Sequence, residues 1–470
     1  MYSKYDPNYY AGLSDDSAMI QAAVDAAAET GNEVTISRYN ARTGKNIWTI
    51  SRAIRLHTGS TVCLNNCHLQ QADGVYQNIF INSNHGSALG YTREGRQYDI
   101  YIYGRGAALL DGGIHNGLRE HNHNQNGLPH IEYNSVFNFL NVERLRVENL
   151  RIINHRYWAF VCTYCAHGRI SNIDFYVSVQ HMNQDGIDLR SGCSHFMIEN
   201  ITGCNGDDTI ALTNLRSRHD APMADAGYDT SIHDVIIRNI QAPSMHSLLR
   251  LLCHYGKKIY NILAENLMEE SESDYANKPG YVPIHPEMDR LRTGACVRIG
   301  GEAYFKGVAE NRAKCTDMYN ITIRNVVSQG RIGIKADSGL CGALFDNIRM
   351  YGQGGSAVHF GDGEIRNVVI SNVIYPANIT PKASDDNRKE GPWNSQSEKD
   401  LAELPDREVC AIYFKNVTAQ NIVVTNLMAG ENLTAVFGGN SKAKVQASNV
   451  ICCREDMPLN IGNQIQLDMR

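Results

Sequence analysis

Val235-Ile-Ile-Arg-Asn-Ile240 returns, little altered, as Ile321-Thr-Ile-Arg-Asn-Val326 and Val368-Val-Ile-Ser-Asn-Val373. Apolar and polar residues alternate through these phrases with a period of two, the signature of a half-buried strand. Each phrase closes on Asn followed by an aliphatic residue. That dipeptide ends ten such β-rich phrases from Asn149-Leu150 to Asn449-Val450, and many of the spacings lie between 22 and 28 residues. A second set of short apolar strands lies between the phrases, among them Gly186–Arg190, Thr209–Thr213, Ala295–Gly300 and Ile332–Lys335. A unit of two or three short strands cannot bury its apolar face alone, whereas stacked units bury it continuously. Asn suits the strand ends, because it tolerates the left-handed conformation at tight corners and its side-chain amide can ladder from coil to coil. The Leu-x-x-Leu-x-Leu consensus of leucine-rich repeats is missing. The expected fold is therefore all-β, a right-handed parallel β-helix of about ten coils.

The whole chain, 1–470, reads as one such domain, with residues 1–50 as an N-terminal cap region. Asp15-Asp-Ser-Ala-Met-Ile-Gln-Ala-Ala-Val-Asp-Ala-Ala-Ala28 predicts a helix with an acidic N-cap that covers the open end of the solenoid. Long gaps in the repeat mark insertions near 214–230, 269–293 and 377–406, which in a solenoid emerge as loops. The chain is 43% hydrophobic and carries a net charge of −6, so neither nucleic acid nor an anionic membrane surface is an expected partner. It contains no run of 18 apolar residues, and Met1-Tyr-Ser-Lys-Tyr-Asp-Pro lacks a secretory signal's apolar segment. Thirteen scattered cysteines, Cys452-Cys453 adjacent, read as reduced thiols. These features set a cytoplasmic location as the expectation, or a secreted one if a leader has been removed. A homo-oligomer through an exposed flank is compatible with the pattern.

Two acidic motifs, Asn183-Gln184-Asp185 and Gly206-Asp207-Asp208, sit one repeat apart, each before an apolar strand. Three carboxylates then gather at matching positions on stacked strands. Like charges held so close cannot all ionise freely, so at least one pKa must rise. A proton-donating acid beside an ionised base is the equipment for cleaving a glycosidic bond. A calcium site or plain turn aspartates are the alternatives open to the residues by themselves.

The chain resembles the polygalacturonase family of glycoside hydrolases, a branch of the pectin-lyase-like β-helices. The opening Asp15-Asp-Ser phrase, Gly104-Arg-Gly-Ala-Ala-Leu-Leu-Asp-Gly-Gly113 and Arg156-Tyr-Trp158 are similar to family stretches, as are Asn183-Gln-Asp-Gly-Ile-Asp188 and Gly206-Asp-Asp-Thr-Ile-Ala211. The resemblance implies Asp207 as the general acid, with Asp185 and Asp208 holding and deprotonating the attacking water. That division of labour inverts the anomeric carbon and places the carboxyl groups roughly 6.5–9.5 Å apart. It implies no metal and no organic cofactor.

Three departures from the family pattern stand out. Its Gly-His-Gly appears as Met245-His246-Ser247, which leaves His246 to tune the acid or contact substrate, with His233 and His254 as competitors. Its Arg-Ile-Lys is matched twice in part, by Arg298-Ile299-Gly300 and by Gly333-Ile334-Lys335, and the second aligns better. Where many members show Tyr, Val358-His359-Phe360 stands here. His246, Arg298, Lys335 and Asn183 are the expected substrate-binding residues. The substrate expected is an oligosaccharide, pectin-derived or uronate-containing, attacked from one chain end. A polysaccharide lyase on the same fold and a non-catalytic glycan-binding β-helix are the alternatives. His115, His121, His123 and His130 cluster in a Gly- and Asn-rich loop whose spacings match no zinc pattern. Cys162-x-x-Cys165 reads as a pair of core thiols.

Overall fold

The computed structural model describes residues 1–113, 134–177, 183–215, 221–243, 246–270, 295–301, 312–329, 332–351, 355–375 and 409–470. Its strands pair in parallel, and the fold is the expected parallel β-helix with an N-terminal helix. Contacts divide the chain into two compact units. The first is Met1–Ala211 with Arg216–Ile236, and the second is Leu212–Leu215 with Ile237–Arg470.

In the first unit, strands Gln97–Arg105, Val142–Ile153, Arg169–Tyr176 and Ser194–Cys204 stack in register. Val147 pairs with Ile102 on one side and Ile170 on the other, and Ile170 pairs with Ile198. All four are buried, so one inward column of aliphatic side chains runs through the unit. A second column is aromatic. Phe137 pairs with Phe80 and Phe160, its ring centroid 5.7 Å from the first and 4.5 Å from the second. In the second unit Ile262, Ile321, Ala343, Val368 and Ile422 follow one another across successive strands in the same way. The second strand set foreseen in the sequence is present as Ile187–Arg190, Ile210–Asn214, Leu249–Cys253, Ala295–Gly300 and Ile332–Asp337.

The Asn corners explain the repeat. All ten asparagines have φ between 51° and 61°. Asn172 Nδ2 donates to Asn149 Oδ1 at 2.9 Å, and Asn200 donates to Asn172 at 2.9 Å. In the second unit Asn325 donates to Asn266 and Asn347 to Asn325, both at 2.9 Å. One rung differs: Asn372 turns to Asp346 Oδ1 at 2.7 Å. An L-residue other than Asn or Asp in this conformation costs about 1–2 kcal/mol, and a lost hydrogen bond about 1 kcal/mol more. Asn172→Ala is therefore expected to destabilise by about 2–3 kcal/mol in denaturant unfolding. Asn172→Gly, which suffers no left-handed strain, is expected to recover most of that.

The helix Asp16–Ala28 starts where the sequence indicates. The Asp15 side chain caps it by accepting the Ala18 N–H at 2.8 Å. Met19, Ile20, Ala23 and Val24 are buried against the first strands, Glu33–Ser37, Trp48–Ile50 and Ile54–Leu56. No helix among the described residues is long and apolar enough to cross a membrane. The 214–230 insertion contains the short helix Ala221–Asp225. The histidine loop and nearly all of the 269–293 and 377–406 insertions lie outside the described residues. Cys162 and Cys165 are fully buried, as core thiols should be.

Candidate active site

Asp185 lies in the first unit, just ahead of strand Ile187–Arg190. Its coil is bonded to the coil of the second acidic motif. Gly186 N donates to Asp208 O at 3.0 Å and Ile187 N to Thr209 O at 3.0 Å, which sets Asp185 opposite Asp208. Gly186 is needed for this approach, since a Cβ there would come within 2.5 Å of the Thr209 carbonyl. On its other side Ala159 N donates to Asp185 O, which sets Asp185 opposite Trp158. Asp207 is tied to the same neighbourhood: the Asn183 N–H donates to its Oδ2 at 2.9 Å and the Asp208 N–H to its Oδ1 at 3.0 Å. Asp207 is half-buried, while Asp185 and Asp208 are almost wholly covered.

The electrostatics follow from this crowding. Burial, then the charges of Asp188, Asp207 and Asp208, push the Asp185 pKa well above the ordinary carboxylate value. Asp188 is pushed well up too, by burial first and by Asp208 and Asp207 after it, against the opposing pull of Arg190. Both oxygens of Asp188 and Oδ1 of Asp185 are buried without a hydrogen-bond partner. A carboxyl raised on folding contributes most stability below its unfolded pKa, near 3.8, and loses that contribution as the pH climbs through the folded value. Asp185→Asn is therefore expected to raise the melting temperature at pH 7 while abolishing activity. The gain in stability should vanish below about pH 3.8, as melts across that range would show.

Asp188 was not singled out in the sequence, although the quoted motif contains it. It pairs with Val161 in register, two residues before Arg190 on the same strand face. The Arg190 guanidinium lies 4.9 Å from the centroid of the Trp158 ring, which stacks on Tyr157 at 4.6 Å. Behind them Arg156 is fully buried and donates to the carbonyls of Gly112 (2.6 Å), Val75 (2.6 Å) and Ala72 (3.0 Å). His155 beside it is buried, and burial pushes its pKa down to about 4, so it is neutral at pH 7. Arg156 thus braces the coil carrying Trp158 by tying loops to it through these three bonds.

The other candidates lie in the second unit. Arg250, Arg298, Lys335, His359 and Tyr413 pair one with the next across five strands, and each is less than a tenth exposed. The two partial matches to Arg-Ile-Lys are therefore neighbours, with Arg298 opposite Lys335, and no choice between them is required. Arg298 Nη1 donates to His246 Nε2 at 2.5 Å, which makes that nitrogen the acceptor. Lys335 Nζ pairs with Asp337 Oδ2 at 2.9 Å. Burial raises the Asp337 pKa, but Lys335, Arg298 and His359 outweigh it and hold the carboxyl below its ordinary value. His359 is pushed down to about 3, by burial first and then by Lys335. Tyr413 stands one strand beyond His359, their rings 5.2 Å apart, and nothing in the sequence pointed to it because of the insertion between them. Arg250 and Asp337 were also missed.

The model for "Glycosyl hydrolases family 28" matches residues 102–220, so the resemblance to that family is shown over the stretch holding both motifs, and it supports a glycoside hydrolase. No curated protein matches the sequence. Among solved structures, the pre-mature gene product 12 of bacteriophage phi29 is 13% identical, with 98% of this chain and 55% of that chain covered and a TM-score of 0.54. A double mutant of the tailspike protein of E. coli bacteriophage HK620, in complex with pentasaccharide, is 10% identical over 97% of this chain and 77% of that chain, at 0.50. A hyperthermoactive exopolygalacturonase from Thermotoga maritima is 13% identical over 99% and 90%, at 0.40. At such identities the first two speak for the fold alone, and the third score is too low to bear on it.

Proposed function

We propose that this protein is an inverting glycoside hydrolase that removes sugars from one end of pectin-derived or other uronate-containing oligosaccharides. The observation that carries the reading is the placement of Asp185 opposite Asp208, with Asp207 hydrogen-bonded between Asn183 and Asp208. Asp207, the most open of the three, donates the proton to the leaving oxygen. Asp185 and Asp208 orient the water and take its proton. Burial and mutual repulsion raise the Asp185 and Asp188 pKa values together, so a proton held by these acids belongs to the cluster rather than to one residue. Asn183 acts through its backbone N–H, which fixes the Asp207 carboxyl.

Arg298 and Lys335 hold the sugar carboxylate, for which a guanidinium fork and an ammonium on adjacent strands are suited. His246, held by Arg298, makes a polar contact to substrate. The scattered cysteines suit a reducing compartment, in which the protein would meet imported oligosaccharides.

Incubation with defined pectic and non-pectic oligosaccharides tests the reading, with products identified by mass. Stepwise loss of one sugar from uronate oligomers supports it. Mid-chain scission removes the exo assignment, and turnover of neutral oligomers alone removes the uronate assignment. An unsaturated product absorbing in the ultraviolet would instead select a lyase.

A further inference from the structure

Away from the carboxylates, the first unit carries a second cluster of ligand-type side chains. His195, His233 and Asp234 each offer one atom, and these atoms all lie within 4.8 Å of one another. The cluster sits at a corner of successive coils. His167 N donates to Ser194 O and His233 N to Cys193 O, which brings residues 167, 195 and 234 into one column. All three have left-handed φ, at 54°, 56° and 55°. Other corners carry laddered asparagines, as with Asn421 and Asn367 at 2.9 Å, and on the far side of His167 this column runs on to Arg144 and Asp99, also left-handed. Here the column holds two imidazoles and a carboxylate.

The geometry converges on one oxygen. Asp234 Oδ2 lies 2.7 Å from His233 Nδ1 and 3.6 Å from His195 Nε2. The His195 and His233 ring centroids are 5.5 Å apart and nearly perpendicular, while His167 packs on the far side of His195 at 4.6 Å. The side chains of His195 and Asp234 are 46% and 39% exposed, so an ion could enter and keep water ligands.

We infer that His195, His233 and Asp234 form a binding site for a divalent transition metal of the zinc class. Two imidazole nitrogens and one carboxylate oxygen are the donor set such ions favour, whereas calcium and magnesium favour all-oxygen sets. Ligand bonds near 2.0–2.2 Å require the three donor atoms, now within 4.8 Å of one another, to draw around the ion. The ion would clip the coil of His195 to the coil of His233 and Asp234. Its role is structural, separate from hydrolysis, and it departs from the absence of metal expected from the sequence.

Calorimetric titration of the full chain with ZnCl2, and visible absorption on titration with CoCl2, test this. One ion should bind per chain, and the melting temperature should rise with Zn2+. His195→Ala and Asp234→Asn, each verified as folded by circular dichroism, should each weaken that affinity by about tenfold or more. Hydrolysis of the best substrate should be unchanged in both, with or without metal. No binding, or binding of equal strength in wild type and both variants, would overturn the site.

Discussion

Asp207→Asn should lower kcat by about 10²–10⁴-fold on natural oligosaccharides, the contribution typical of a positioned general acid, with KM little changed. The amide keeps the shape of the carboxyl and its oxygen can still accept the Asn183 or Asp208 N–H, so the loop should hold its form. A glycoside whose leaving group departs without protonation, such as a nitrophenyl uronide, separates the roles. Asp207→Asn should regain much of its rate on that substrate. Asp185→Asn should not, because the water still lacks its base. The test matters because two backbone donors on Asp207 favour its anion, whereas burial favours the protonated form of Asp185. Rescue of Asp185→Asn instead of Asp207→Asn would exchange the two roles and leave the site in place.

The second large effect is expected at Lys335. A charge-assisted hydrogen bond to a substrate carboxylate contributes about 1.5–3 kcal/mol, so its loss should raise KM for uronate oligomers by about 10–150-fold. Lys335 is nearly buried against Asp337, and removing the lysine alone would strand a buried carboxylate. The informative variant is therefore Lys335→Met with Asp337→Asn, compared with Asp337→Asn alone. Lys335→Arg should retain part of the affinity. An unchanged KM in the double variant would remove Lys335 from substrate recognition.

What the sequence revealed, and what it hid, follows from the geometry of stacked coils. The Asn corners were legible because one backbone conformation recurs in every coil and few residues tolerate it. Asn149, Asn172 and Asn200 could be found by eye, and their ladder follows from their spacing. Asp185, Asp207 and Asp208 were legible because only a short, uninterrupted coil separates them.

The polar row across the strands of the second unit was not legible. Arg250, Arg298, Lys335, His359 and Tyr413 belong to consecutive strands, yet insertions of unequal length separate several of them, and register across an insertion cannot be counted from sequence. The same limit made Arg298 and Lys335 look like rival matches to one motif. Asp188 escaped notice for a different reason. It was read as part of an apolar strand; alternation sets it on the face of Arg190, and only the charges of Asp207 and Asp208 acting on it tie it to the other acids.

Proton NMR of the first product released tests the central claim most directly. Cleavage of a defined uronate oligosaccharide by the wild-type protein, followed before mutarotation, should yield the anomer opposite to that of the substrate linkage, with Asp207→Asn silent under the same conditions. Release of the retained anomer, or an undiminished signal from Asp207→Asn, would contradict hydrolysis by these three aspartates acting with a single water.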